Sequence, residues 1–215
     1  MDNLKYIIKF ILIAVMILIP GRLFAKTVPE ILVDLQNNMQ GLNSVQADFL
    51  QTKHLQIFSK PLVIKGTLYL QKPDKFSWRT RQPMRYNMTL AGETIRQWDS
   101  EARQVQEFSL NKNPAFQAAL AQMKGWFDGN YAAMAKDYDI AFKSDVPLIL
   151  IFTPKNSSMT AGLIARIEVI FRQDRRYITG IKIEEKNGDM TTIDFSNIKL
   201  DSPINSLVWE VKSRV

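Results

Sequence analysis

The chain of 215 residues has no cysteine and a single histidine, His54. Without a thiol it can form no disulfide, carry no thiol-linked lipid and supply no Cys–His dyad. With one imidazole it cannot build a multi-histidine metal site. Also missing are a Gly-x-Ser-x-Gly elbow, a phosphate-cradling glycine-rich loop and a His-Glu-x-x-His pair. Long apolar runs are scarce: Phe10 to Ile19 is the longest, and it falls well short of the roughly 20 residues a transmembrane helix needs. The acidic residues fall mainly in turns or on exposed strand positions. Asp99 and Asp194, the carboxylates that could be paired for acid–base work, have no spacing signal behind them. The expectation is a protein that is not an enzyme and uses no cofactor or metal.

What is present begins with a leader. Lys5 and Lys9 precede the apolar run, Pro20-Gly21 breaks it, and Leu23-Phe24-Ala25 closes it, the three-part layout of a cleaved secretory signal over residues 1–25. A single domain over residues 26–215 is expected, free in a Gram-negative periplasm. Removing the leader takes Lys5, Lys9 and Arg22 from the 28 basic residues and Asp2 from the 21 acidic ones, which leaves 25 and 20 and a net charge of +5. Such a surplus favours anionic lipid surfaces or an acidic partner face, but the basic residues are scattered, and nucleic acid is not an expected partner.

Pro29 sits at a first helical turn, and Leu32, Leu35, Met39 and Leu42 follow at helical spacing, so a helix ending near Gly41 is predicted. Strands are predicted at Val45–Leu55, Leu62–Gln71, Lys75–Thr80, Tyr86–Leu90, Thr94–Asp99 and Gln104–Phe108, joined by tight turns. From Pro114 to Ala135 the period becomes helical, with Phe116, Leu120, Met123 and Phe127 on one stripe and Gly125 and Gly129 dividing the segment into two short helices. Strands resume at Tyr138–Phe142, Leu148–Pro154, Leu163–Arg172, Tyr177–Glu185 and Thr191–Leu200. A closed barrel with helices over one mouth and a strongly curved open sheet both satisfy this inventory. In either arrangement the helices must cover the apolar face of the sheet.

The most telling stretch is Gly66 to Pro83. Its second run puts Phe76 and Trp78 on one face of a strand and Lys75, Ser77, Arg79 and Arg81 on the other. Phe76, Trp78, Met88, Leu90 and Trp98 from neighbouring strands, with Phe116, Leu120, Met123 and Phe127 above them and Leu35 and Met39 from the first helix, are the candidate lining of a cavity for apolar ligands.

Ala47-Asp48-Phe49-Leu50-Gln51-Thr52, Gly66 through Trp78, Gln82-Pro83, Gly92-Glu93-Thr94 and Leu150-Ile151-Phe152-Thr153-Pro154-Lys155, taken in order, resemble the successive signatures of the LolA family of periplasmic lipoprotein carriers. The resemblance implies a mainly β fold with helices (α+β), an incomplete antiparallel β-barrel of about eleven strands closed by lid helices over a hydrophobic cavity for acyl chains. It implies a monomer that takes lipoprotein, or another acylated lipid such as a glycolipid or polyene-type lipid, from an inner-membrane ABC-type release complex to an outer-membrane receptor. In the best-known carriers an arginine precedes the proline of the hairpin turn and clasps the lid. This chain has Lys72 there, a point charge where a planar fork would sit, which implies a looser gate. Two other classes stay open on the residues alone: a lipid-sensing regulatory module, and a lipid hydrolase using His54 or a carboxylate.

Overall fold

The computed structural model describes residues 26–101, 103–112, 117, 125–127 and 129–211. The leader and three expected cavity residues, Phe116, Leu120 and Met123, lie outside the described residues.

Helix α1 spans Val28–Met39, and local chemistry accounts for its start. Pro29 stands in the first turn, where its missing N–H is no loss, and the Glu30 carboxylate accepts from the Thr27 N–H at 2.7 Å and the Thr27 hydroxyl at 2.9 Å. Ile31, Leu32, Leu35 and Met39 form its buried stripe, while Val33 is exposed on the far side.

Six strands follow: β1 (Ser44–His54), β2 (Leu62–Gln71), β3 (Lys75–Gln82), β4 (Tyr86–Ala91), β5 (Thr94–Asp99) and β6 (Val105–Ser109). After a short helix α2 (Tyr131–Met134) come β7 (Tyr138–Asp145), β8 (Leu148–Pro154), β9 (Ile164–Phe171), β10 (Ile178–Glu185) and β11 (Met190–Leu200). All eleven form one antiparallel sheet in the order β6-β5-β4-β3-β2-β1-β11-β10-β9-β8-β7. The first and last strands therefore pair at the centre, and β6 and β7 are the two edges. Of the two arrangements open to the sequence, the open sheet is the one observed. β6 and β7 are consecutive in the chain yet stand at opposite edges, and among the described residues of the crossing segment that connects them Trp126, Phe127, Tyr131 and Met134 pack into the core. Together with α1 they supply the cover.

The register sorts each strand into an inner and an outer face. Val45, Leu70, Phe76, Leu90 and Ile95 form one inner row across β1–β5, and Ala47, Leu68, Trp78 and Met88 the next. On the other half, Ile193, Ile181, Val169 and Leu150 continue the inner face. Nearly all of these belong to one buried core with the inward residues of α1 and with Trp126, Phe127, Tyr131 and Met134 of the crossing segment. At Gly66 the inner face is glycine because the Phe49 ring lies where a side chain would be: a Cβ there would come 2.4 Å from Phe49 Cζ and 2.0 Å from the Arg79 carbonyl oxygen. Phe49 then stacks on Trp78, ring centroids 3.9 Å apart.

Candidate functional site

The structure brings most of the expected apolar residues together on the inner face. Phe76 opposes Leu90 and Trp78 opposes Met88, with Phe76 and Met88 buried. Leu35 and Met39 reach the same core from α1, fully buried, and Phe127 joins it from the crossing segment. Trp98 does not. It opposes Asn87, while its neighbour Gln97 opposes Met88, so the indole projects from the outer face. Its burial comes from elsewhere, since it stands outside the inner core and lines an outer groove together with Leu207 and Glu210. The apolar Ile95 and Trp98 stand three residues apart in β5 and so fall on opposite faces; which of them faces inward depends on the register with β4.

The crossing segment is seated by aromatic packing. Phe127 stacks on Tyr177 at 5.7 Å and meets Phe195 edge-on at 6.0 Å, and Tyr131 meets Phe171 edge-on at 5.3 Å. Gly129, with φ +76°, makes the break between helical residues 125–127 and α2, whereas Gly125 lies within the helical turn. Tyr131, Tyr177, Phe171 and Phe195 were not among the residues singled out from sequence. Tyr131 could have been, since it follows Phe127 at four residues and continues the same stripe. The strand aromatics carry no comparable local signal.

Among the described residues, polar ties between cover and sheet are few. The hydrogen bonds of α1 stay within residues 26–42 apart from a 3.8 Å contact between the Tyr131 hydroxyl and Met39 Sδ. The Tyr131 hydroxyl donates at 2.5 Å to the Trp126 carbonyl, inside the cover itself. At the exit of α2, Lys155 Nζ donates to the Ala135 carbonyl at 2.7 Å. Burial pushes the Tyr131 and Tyr177 phenols well above their ordinary range. The Tyr177 hydroxyl and the Trp126 indole N–H are buried with no hydrogen-bond partner among the described residues. Lys72, the expected gate, sits at the turn between β2 and β3, where its backbone N–H donates to the Asn43 carbonyl at 2.8 Å.

The candidate catalytic groups are not assembled. His54 is exposed at the end of β1 opposite Met190, and Asp194 opposes Leu50 four residues away along that strand, about 13 Å at strand rise. Asp99 stands at the end of β5, four strands from β1, and accepts from the Glu101 N–H at 2.9 Å.

On the outer face of β1–β5 runs a groove of about 1120 Å³, whose lining includes Asp48, Lys65, Arg79, Arg81, Trp98 and Glu210. Most of its lining residues are charged or polar, joined by Phe49, Leu50, Trp98 and Leu207.

Comparison with known proteins bears on the family and the fold. The outer-membrane lipoprotein carrier protein of Legionella pneumophila (strain Corby) is 22% identical over 189 residues, which is 88% of this chain and 87% of that protein. Among solved structures, an uncharacterized conserved protein from Thermus thermophilus superposes with a TM-score of 0.55 at 7% identity, covering 86% of this chain and 95% of that one. The Pseudomonas aeruginosa MucA/MucB complex structure matches with a TM-score of 0.51 at 12% identity, covering 85% of this chain and 61% of that one. At such identities the two structures speak to the fold alone. The family model for the outer membrane lipoprotein carrier protein LolA matches residues 40–210, from the end of α1 through the last strand and beyond, and the chain belongs to the LolA family.

Proposed function

We propose that the protein is a periplasmic carrier that shields the acyl chains of lipoproteins between its sheet and its helical cover. In this reading it receives them from an inner-membrane ABC-type release complex and yields them to an outer-membrane receptor. The observation that supports it best is the character of the cover: its described residues are apolar on the inner side and, among the described residues, tied to the sheet mainly by apolar contact. Each methylene exposed to water costs roughly 0.8 kcal/mol, so an acylated anchor cannot cross an aqueous compartment bare. Acyl chains that replace α1 and residues 125–134 against the sheet exchange one apolar contact for another, and few hydrogen bonds are broken. The proposed contact residues are Leu35, Met39, Phe76, Trp78, Met88, Leu90 and Phe127, with Phe116, Leu120 and Met123 from the crossing segment. With no nucleotide motif in the chain, direction comes from partners of different affinity.

Lys72 is proposed to modulate the cover, and Lys72→Arg is expected to slow lipid exchange; an unchanged exchange rate removes the gate role from this residue. The test of the whole reading is native mass spectrometry of protein purified from its own periplasm, together with titration of a fluorescent acyl probe. Bound lipoprotein or acylated lipid is expected, and protein free of lipid that also refuses the probe ends the carrier reading. Because the chain has no cysteine, a single Val33→Cys label on the exposed side of α1 reports cover movement during the titration without background.

A further inference from the structure

The outer groove is built on one register row. Ser196 opposes Asp48, Asp48 opposes Thr67, Thr67 opposes Arg79, Arg79 opposes Asn87, and Asn87 opposes Trp98. At one strand spacing per step the row spans about 24 Å of the outer face. The segment after β11, with a single 3-10 turn at Ser206–Trp209, packs over β3 and β4 and forms one wall through Leu207 and Glu210. Arg79 holds that wall: its Nη2 donates to the carbonyls of Leu207 at 3.1 Å, Val208 at 2.8 Å and Glu210 at 3.0 Å, and its Nε donates to Ser77 Oγ at 3.3 Å.

The charges in the groove are not balanced. Lys65, Arg79, Arg81 and Arg85 line it against Asp48 and Glu210. Arg81 spends its charge on Asp48 at 2.8 Å, and the same residue's carboxylate also accepts from Thr67 and Asn197. Arg79 is half-buried, yet its acceptors are all neutral oxygens, and its Nη1 has none among the described residues. Lys65 is exposed and has no carboxylate partner among the described residues. Two strands beyond Arg79 lies Trp98, only 7% exposed, which lines the same groove. A half-buried cation without a counter-ion is unfavourable, and a ligand that brings an anion into the groove relieves it.

We propose that this groove is a second binding site, separate from the inner face, for a phosphate-bearing ligand. The oxyanion is held by Arg79 Nη1 and Lys65, with Trp98 lining the groove beside them. The guanidinium suits a phosphate in charge, and the two strand spacings between Arg79 and Trp98, about 10 Å, leave room for the glycerol of a glycerol phosphate beside the indole. Such a group belongs to a phospholipid head or to a free phosphate ester. The site does not depend on the carrier reading.

Titration of the isotope-labelled full-length protein with glycerol 3-phosphate tests it through the Trp98 indole resonance, which Trp98→Phe identifies by deletion. A saturable shift is expected, with Lys65→Gln weakening the affinity about fivefold, the upper end for one exposed charge. A linear drift without saturation, or a saturation that Lys65→Gln leaves unchanged, overturns the proposal. Given saturation, flotation with phosphatidylglycerol vesicles names the source. Flotation that glycerol 3-phosphate competes away assigns the lipid head group; no flotation, or flotation without competition, assigns the free ester.

Discussion

Gly129 and Met39 meet so closely that a β-carbon on the glycine would lie 2.8 Å from Met39 Cβ. Met39 is the last residue of α1, and its sulfur also faces the Tyr131 hydroxyl of α2 at 3.8 Å. The two parts of the cover are therefore joined at one side chain, and the joint depends on a glycine in the left-handed region at φ +76°.

Gly129→Ala is accordingly expected to loosen the cover before it harms the sheet. Left-handed strain costs about 1–2 kcal/mol and the overlap with Met39 adds about 1–3 kcal/mol. Amide exchange should accelerate at 125–134 and along α1 while the central strands keep their protection. Uniform loss of protection across β1 and β11, or none anywhere, would contradict a joint at this position.

Gly66 and Gly41 make a sharper contrast. A methyl at Gly66 meets the Arg79 carbonyl oxygen at 2.0 Å and the Phe49 ring at 2.4 Å, and the backbone atom cannot yield cheaply, whereas no described atom lies within 4 Å of a methyl at Gly41. Gly66→Ala should cost about 3 kcal/mol or more, and Gly41→Ala should stay within about 0.5 kcal/mol. Urea denaturation of both variants decides the matter, and similar midpoints would mean that Phe49 does not occupy the space over Gly66.

Much of this fold was legible from local pattern, and the reason lies in the turns. Period-two alternation bounded by Lys72-Pro73-Asp74, Ala91-Gly92 and Asn187-Gly188-Asp189 places the strands within a residue or two of where they stand, save that β7 runs three residues further, to Asp145, and the inner parity of Phe76 and Trp78 is readable because Lys75, Ser77, Arg79 and Arg81 alternate with them. The face of Trp98 is not legible in the sequence because β5 mixes Arg96, Gln97 and Trp98 without clear alternation, so it depends on pairing with Asn87, a non-local fact. The aromatic seat of the cover was only half visible. Phe127 announces itself by helical spacing, but Tyr177 and Phe195 reach it from the start of β10 and from β11, about 50 and 68 residues later, and no local period encodes that meeting.

Tyr131 and Tyr177 should respond oppositely to loss of their hydroxyls. Tyr131→Phe strands the Trp126 carbonyl and should destabilise by about 1 kcal/mol, while Tyr177→Phe removes a buried, unpartnered hydroxyl and should be neutral or stabilising by about 1 kcal/mol. Both phenols have folded values raised by burial, so their contribution is intact below about pH 10 and is lost as pH rises above it, when only the unfolded chain releases the proton. Each should steepen alkaline destabilisation by up to about 1.4 kcal/mol per pH unit. Denaturation at pH 9 and 11 should therefore show a smaller pH effect in Tyr177→Phe than in the parent; equal slopes would mean that Tyr177 ionises freely in the folded state.

Asp48 links the acid limb of stability to the outer groove. Its carboxyl is held below the usual aspartate range, first by the Asn197 side-chain amide at 2.9 Å and then by the Thr67 hydroxyl and Arg81. A depressed folded value means stability present above the unfolded value, near pH 4, and lost as pH falls through the folded one. Asp48→Asn should thus be less stable than the parent at pH 7, with the gap closing on acidification; a gap independent of pH would assign the effect to hydrogen bonding and not to charge. The same substitution releases Arg81 from its ion pair and adds one unit to the positive surplus facing Arg79 and Lys65. Glycerol 3-phosphate should then bind Asp48→Asn more tightly than the parent, the reverse of Lys65→Gln, and the difference should shrink in high salt as the added charge is screened. Equal affinities for the parent and Asp48→Asn at low salt would show that Asp48 does not set the charge of the groove.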